Sequence, residues 1–563
     1  MKHRLALAAG LLASLGALPA PATAAEPTMR LSEVRPGMRC TALSVVRGTT
    51  ISQFDAEVID VVRGDPASSG PRILVRVSGP AIDATGVGPG FSGSPLLCPN
   101  AAGVRRNAGA ISETVGEYGG KVALATPIGL ILGQGARAPR GARRAPALMR
   151  SARRIATPLT ISGLTGAMRT QVIRAARRAG RPIVAAPSAP FTGFPTQRLQ
   201  PGSAVAASLA SGDVSISAVG TVTYRDGASV WGFGHPFEGF GRRALLLQDA
   251  YVFSVINNPL STDGGFTYKL AVPGHTVGAL TNDTLNAVVG RVGRPPRTIR
   301  FTAKVRDLDR RRSVTVRSRV TDERALDLGS ALALTGTLGV GQALTAATEA
   351  APPRMRSSMC LRIRVRERKR PMGFCNDYED GERPFEDLSK ALVLVDAFKY
   401  GRLTPVSAAV RMKVRRGVPE ALMLRARAPR RVRPGQRIRI RIALQRRRGG
   451  KDAVSLRYRV PRSTRPGRRT LTLRGSVPYP TFFGGGGGLG LLLEGGGGVG
   501  IASEESIGPR SVEALAARIA RIERRSGLRA TFAEKGRGPV VLPTRDLVLR
   551  GRLRVPMRVM GPR

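Results

Sequence analysis

Gly88-Pro89-Gly90-Phe91-Ser92-Gly93-Ser94-Pro95 sets a serine between glycines, at the end of one apolar run and the start of another. A serine becomes a nucleophile when its hydroxyl is held on a sharp turn, with backbone N–H groups aimed at the developing oxyanion and a base within reach. Glycines on both sides of Ser92 permit such a turn. The spacing is not that of a Gly-x-Ser-x-Gly nucleophile elbow, because Ser94 stands where the second glycine belongs. Until a base is found, a plain Gly/Ser/Pro turn between strands reads the same residues equally well.

Working outward, the residues from Met29 to Leu132 form short β-branched and apolar runs bounded by Gly, Pro or Asp, the pattern of an all-β unit. Gln134 to Pro158 is rich in Arg, Ala and Pro and reads as a solvated basic linker, followed by a short helix near Ala167 to Ala179. Strand patterning returns at Ser203, with Asp226-Gly227 as a hairpin turn. Immediately after it comes Trp231-Gly232-Phe233-Gly234-His235-Pro236-Phe237. The chain holds three histidines, and His3 lies in the leader described below, so any imidazole base for Ser92 is His235 or His275. His235, flanked by glycine and proline at a strand end, is the better placed of the two, although such a histidine is also commonly structural.

Ala325 to Ala350 is apolar and small, and is expected to be a packed helix. Arg437-Ile438-Arg439-Ile440-Arg441-Ile442 alternates with period two, giving one apolar and one arginine face, as in a strand of a sandwich. The glycine blocks Gly484 to Gly488 and Gly495 to Gly498 lack the Gly-Lys-Ser/Thr ending of a phosphate loop and read as loop. Val512 to Arg525 carries Leu515, Ile519 and Ile522 on one face of a helix.

The N-terminus joins a basic Met1-Lys2-His3-Arg4 to an apolar run ending near Ala22-Thr23-Ala24, which reads as a secretory signal peptide. No later segment is long and apolar enough for a transmembrane helix, so an exported, secreted or envelope-associated protein is expected. The net charge of +52 then points to anionic envelope polymers or acidic substrates rather than to nucleic acid, for which no binding motif is present. Four cysteines allow three disulfide pairings; proximity favours Cys360–Cys375, leaving Cys40–Cys98. No metal-ligand spacing occurs and no cofactor is expected.

With both motifs in view, the chain resembles the SpoIVB-type serine peptidases of the chymotrypsin-like clan. Gly90-Phe91-Ser92-Gly93-Ser94-Pro95 is similar to that family's serine motif, and Gly220 to Tyr224 with Gly234-His235 to its histidine motif. The resemblance covers Leu31 to about Val320. It implies Ser92 as nucleophile, His235 as general base and acid, and the N–H groups of Gly90 and Ser92 as the oxyanion hole. It departs in two ways. The serine precedes the histidine, which calls for a chymotrypsin-like double β-barrel in permuted order, and no aspartate stands where the family's acid is expected, leaving Asp83 as the nearest carboxylate.

The expected architecture is mainly β: a signal peptide over 1–24, a serine-bearing β half over 29–133, the basic linker and helix over 134–200, and a histidine-bearing β half over 201–350. A β-sandwich-like domain over 351–480 and a glycine-rich loop with a C-terminal helix and strands over 481–563 complete it. Two functions are expected to compete. One is an exported serine endopeptidase acting on protein or peptide; the other is a catalytically silent envelope protein that binds anionic polymers.

Overall fold

The computed structural model describes residues 26–561 apart from 64–69, 116–119, 135–142, 145–152, 155–158, 179–182, 187–190, 259–265, 327–330, 350–354, 380–382, 418, 477–507, 523–526, 533–539 and 543–546. The expected signal peptide, most of the basic stretch before Pro158 and the glycine blocks lie outside the described residues.

The chain is mainly β, and its first unit is a closed six-stranded barrel. Its strands are β1 (Arg39–Arg47), β2 (Thr50–Arg63), β3 (Arg72–Ser78), β4 (Pro95–Pro99), β5 (Arg105–Thr114) and β6 (Val122–Pro127). Antiparallel pairing runs β1-β2-β3-β6-β5-β4 and returns to β1. Alternate residues point inward: Ala42, Phe54, Ala56, Val58, Ile73, Val75, Val77, Ala108, Ala123 and Ala125 share one core. The many alanines suit so narrow a barrel, whose interior side chains alone must fill. Cys40 and Cys98 are disulfide-bonded, joining β1 to β4.

After β7 (Leu159–Ser162), helix α1 (Gly166–Arg178) and β8 (Ile183–Ala186), a second set of six strands follows. These are β9 (Ala204–Gly212), β10 (Ser215–Asp226), β11 (Ser229–Gly232), β12 (Gly241–Asn258), β13 (Phe266–Asp283) and β14 (Val288–Val292). Their antiparallel pairing also forms a ring, β9-β10-β11-β14-β13-β12 and back to β9. Numbered from its own first strand, each set therefore has the order 1-2-3-6-5-4. Val45 and Ile51 of the first barrel pack on Ala204, Ala206, Val219, Ala250, Val252 and Ala271 of the second set, an apolar seam between the two.

Three expected boundaries change. Leu159–Ser162 and Ile183–Ala186, within the expected linker, instead extend the second sheet, since β7 pairs with β10 and in parallel with β8. Residues 355–416, assigned to the sandwich, belong to the same sheet: Arg312–Thr321 pairs with β9, Thr298–Asp307 follows it, and Pro405–Arg416 and Met355–Val365 continue outward. Helices α2 (Ala331–Thr348) and α3 (Arg383–Asp396) cover this extension over a shared core that includes Phe301, Leu338, Val410 and Leu392. Gly339 makes that possible, because a Cβ there would stand 2.7 Å from the Phe301 ring. Cys360 and Cys375 are bonded across the adjacent strands Met355–Val365 and Met372–Tyr378.

The sandwich-like unit is instead assembled from 420–476 together with 528–559. A sheet holding Glu420–Arg427, Arg437–Arg446 and Lys451–Arg459 shares one core with a sheet holding Gly467–Arg474, Leu528–Phe532 and Arg552–Val559. The C-terminal strands were beyond the expected boundary at 480 because strand pairing ignores sequence separation. The last helix, α4 (Val512–Ala520), packs Leu515 and Ile519 into the core under α3 rather than into the sandwich.

Candidate active site

Each six-stranded set carries one sequence motif on the connection between its third and fourth strands. In the first barrel, residues 79–94 leave β3 and enter β4; in the second set, residues 233–240 leave β11 and enter β12.

The serine connection turns at Gly90 and Gly93, with φ of +95° and +93°, values that favour glycine. It reaches across into the second set. Lys269 N–H donates to Pro89 O at 2.9 Å and Thr221 N–H to Ser92 O at 2.8 Å. The hydroxyls of Thr221 and Thr223 donate to Gly90 O and Gly93 O at 3.0 and 2.9 Å. The approach is close enough that a Cβ on Gly93 would collide with Thr221 O, and one on Gly88 with Thr267 O. These glycines serve proximity as well as turning.

Within the loop, Phe91 N–H donates to Gly88 O and Gly93 N–H to Ile111 O. Among the described residues, the N–H groups of Gly90 and Ser92 have no acceptor. Ser92 Oγ is buried and likewise makes no hydrogen bond.

The histidine connection begins with two left-handed residues, Phe233 at φ +69° and Gly234 at +68°. A non-glycine residue there is strained and persists where surrounding contacts enforce it. The Phe233 ring is fully buried, and Thr126 Oγ1 donates to Gly234 O at 2.7 Å. His235 follows, 3% exposed. Its Nδ1 lies 2.7 Å from Pro236 O. A carbonyl only accepts, so Nδ1 is the donor in this hydrogen bond.

The two motifs meet. Ile111 O accepts the Gly93 N–H at 2.8 Å and lies 3.3 Å from the position of a Cβ on Gly234. A Cβ on Gly93 would in turn stand 2.5 Å from Phe233 N. Segments separated by well over a hundred residues are thus packed backbone to backbone, with Ser92 and His235 both buried beside the contact.

Asp83 does not join them. It is half-exposed and pairs with Lys121 Nζ at 3.2 Å, while the His235 nitrogen that a triad carboxylate would hold is bonded to Pro236 O. His275, the other candidate, is held by the buried Asp249, Nδ1 to Oδ2 at 3.1 Å, and stacks edge-on against Phe194.

Buried charges that sequence reasoning passed over, chief among them Asp283 and Lys269, surround the site. Asp283, at the end of β13, accepts the N–H groups of Phe237, Glu238 and Gly239, each at 2.7 Å, and so shapes the turn after His235. Arg243 lies 3.8 Å from it and is clamped by Glu238 and Glu323. Lys269, fully enclosed beneath the serine loop, places Nζ 2.7 Å from Ser44 Oγ, 3.2 Å from Thr221 Oγ1 and 4.5 Å from the Phe91 ring centroid. Burial pulls its ammonium down to about 7. Neither residue sits in a recognisable motif; only strand closure brings them here. No cluster of His, Cys, Asp or Glu that could hold a metal ion occurs among the described residues.

The chain matches no family model, no curated protein and no solved structure.

Proposed function

We propose that the protein is an exported serine endopeptidase built on a permuted chymotrypsin-like pair of barrels, with the serine barrel first. The observation that carries this reading is the pair of acceptor-less N–H groups at Gly90 and Ser92, on a loop whose carbonyls from Gly88 to Ser94 all accept hydrogen bonds. Amides left open at that spacing, beside an unpartnered serine hydroxyl, are what an oxyanion hole requires.

In the proposed reaction, Ser92 Oγ attacks the scissile carbonyl and its proton passes to His235 Nε2. The oxyanion of the tetrahedral intermediate is held by the N–H groups of Gly90 and Ser92. The imidazolium then protonates the leaving amine, the C–N bond breaks, and an acyl-Ser92 ester remains for hydrolysis with His235 acting as base. Ser92 and His235 are both buried, so a substrate reaches them once the covering side chains move apart. Pro236 O supplies the tautomeric control that a carboxylate supplies in a full triad, without its negative charge, and a slower enzyme is the expected consequence. Labelling of the mature protein by a fluorophosphonate, lost in Ser92→Ala, tests the reading; no labelling at any pH overturns it.

A second reading, an envelope protein holding an anionic polymer, is favoured by the outer faces of the sandwich-like unit. Exposed arginines stand directly opposite one another at Arg437 and Arg459, Arg439 and Arg457, Arg427 and Arg441, and Arg468 and Arg558. Like charges so placed repel, and Arg437, Arg439, Arg441 and Arg457 have no acidic partner among the described residues. Retention on purified wall polymer that falls steeply with salt supports this reading; salt-insensitive or absent retention excludes it. The two activities are compatible in one chain.

A further inference from the structure

We infer that Lys269 is a positioning residue for the oxyanion-binding amides of Gly90 and Ser92. The inference rests on the serine-peptidase reading and adds to it a residue that neither the motifs nor the resemblance supplies.

A trans peptide unit points its C=O and its N–H in opposite directions. The Gly90 N–H therefore takes its direction from Pro89 C=O, and the Ser92 N–H from Phe91 C=O. Lys269 acts on both carbonyls. Its own amide donates to Pro89 O at 2.9 Å. Its Nζ donates to Ser44 Oγ at 2.7 Å; Ser44 and Ser94 Oγ are 3.0 Å apart; Ser94 Oγ donates to Phe91 O at 2.6 Å. A parallel branch runs from Nζ through Thr221 Oγ1 to Gly90 O, at 3.2 and 3.0 Å. All three loop carbonyls are thus drawn toward the lysine, which turns the two acceptor-less N–H groups to the opposite side. The lysine methylenes also floor the loop: a Cβ on Gly90 would stand 2.8 Å from Lys269 Cβ.

Hydrogen bonds in such a chain polarise one another, so a positive charge on Nζ, relayed through Ser44 and Ser94 to Phe91 O, strengthens the Ser92 N–H as a donor, while Gly90 is held by the lysine's backbone amide. The groups facing that charge are the hydroxyl of Ser44 on β1, the hydroxyl of Thr221 on β10 and the ring of Phe91, and no carboxylate pairs with it among the described residues. With its ammonium drawn down to about 7 by burial, the charge is present on the acid side of neutrality and lost above it. Its contribution to acylation therefore falls as pH rises.

The test compares mature wild type, Lys269→Met and Ser44→Ala by rate of fluorophosphonate labelling across pH, with amide hydrogen exchange of residues 88–94 measured alongside. Wild type is expected to lose labelling rate as pH rises above neutrality, a limb that disappears in both variants, with labelling about ten- to a hundredfold slower at neutral pH and faster exchange in the loop. A folded variant that labels at the wild-type rate with the same alkaline limb overturns the inference and leaves the peptidase reading standing. If Lys269→Met does not fold, Ser44→Ala, which cuts the chain and keeps the lysine, decides by the same criteria. A wild type that labels at no pH overturns both.

Discussion

Asp283 accepts the amide hydrogen of Phe237 at 2.7 Å from the end of β13, where it pairs with Gly241, the residue at which the histidine connection enters β12. Together with its bonds to Glu238 and Gly239 and the nearby Arg243, this makes one buried carboxylate the anchor of the turn that carries His235. Asp283→Ala leaves three amides and a buried guanidinium short of a partner. It is expected to cost about 3–5 kcal/mol and to abolish labelling. Asp283→Asn, which keeps one acceptor oxygen, should cost less. Urea midpoints of both variants check this, and equal losses would argue against the carboxylate as anchor.

Ser92 Oγ is buried without a hydrogen bond, a condition that costs stability. Ser92→Ala is therefore expected to be no less stable than wild type, and more stable by about 1 kcal/mol, while losing all labelling. A variant that unfolds more easily would show that the hydroxyl has a structural bond.

Burial lowers the Lys269 ammonium from 10.5 to about 7. Between those values the unfolded chain keeps a proton that the folded protein releases, so stability rises with pH across the window, by at most about 5 kcal/mol. Lys269→Met removes this slope and is expected to be more stable than wild type below neutrality, even though slower labelling is expected of it. Urea unfolding of both proteins near pH 6 and pH 9 measures the difference in slope; parallel behaviour would contradict it.

Gly93 and Gly227 both have positive φ, +93° and +53°, yet only Gly93 is hemmed in by backbone. Gly227→Ala, with nothing within 4 Å of the new Cβ, should cost about 1 kcal/mol from backbone conformation alone. Gly93→Ala must push Thr221 and Phe233 away from the serine loop and is expected to be far more destabilising and unlabelled. Thermal melting of the pair separates the two effects.

The two disulfides close loops of different length. The chain-entropy relation gives about 4 kcal/mol for Cys40–Cys98, at a sequence separation of 58, and about 3 kcal/mol for Cys360–Cys375, at 15. Double Cys→Ala variants of each pair, compared by urea midpoint, should rank in that order, and loss of Cys40–Cys98 should also slow labelling, because it ties β1, with Ser44, to β4, which follows Ser92.

The local chemistry of the chain was legible without coordinates. Period-two patterns and glycine turns depend on neighbours in sequence, so the β character and the serine and histidine connections could be read directly, whereas four cysteines leave three pairings open and only the structure joins Cys40 to Cys98 and Cys360 to Cys375. The helix near Ala167 and the buried helix after Ala325 could be read for the same reason. Boundaries that depend on which strand pairs with which could not: the strands Leu159–Ser162, Ile183–Ala186, Met355–Val365 and Pro405–Arg416 join the second sheet through long-range pairing, and the sandwich-like unit takes its last strands from beyond the glycine blocks.

What Ser92 and His235 are surrounded by was decided only by tertiary structure. Asp83, near in sequence, is turned to solvent and held by Lys121, whereas Asp283 and Lys269 lie far along the chain and arrive through closure of the second ring of strands. Residue type and spacing determine what a connection between strands can do. Register and closure determine which charges stand behind it, because a one-residue slip would turn Lys269 from beneath the serine loop to the other face of its strand.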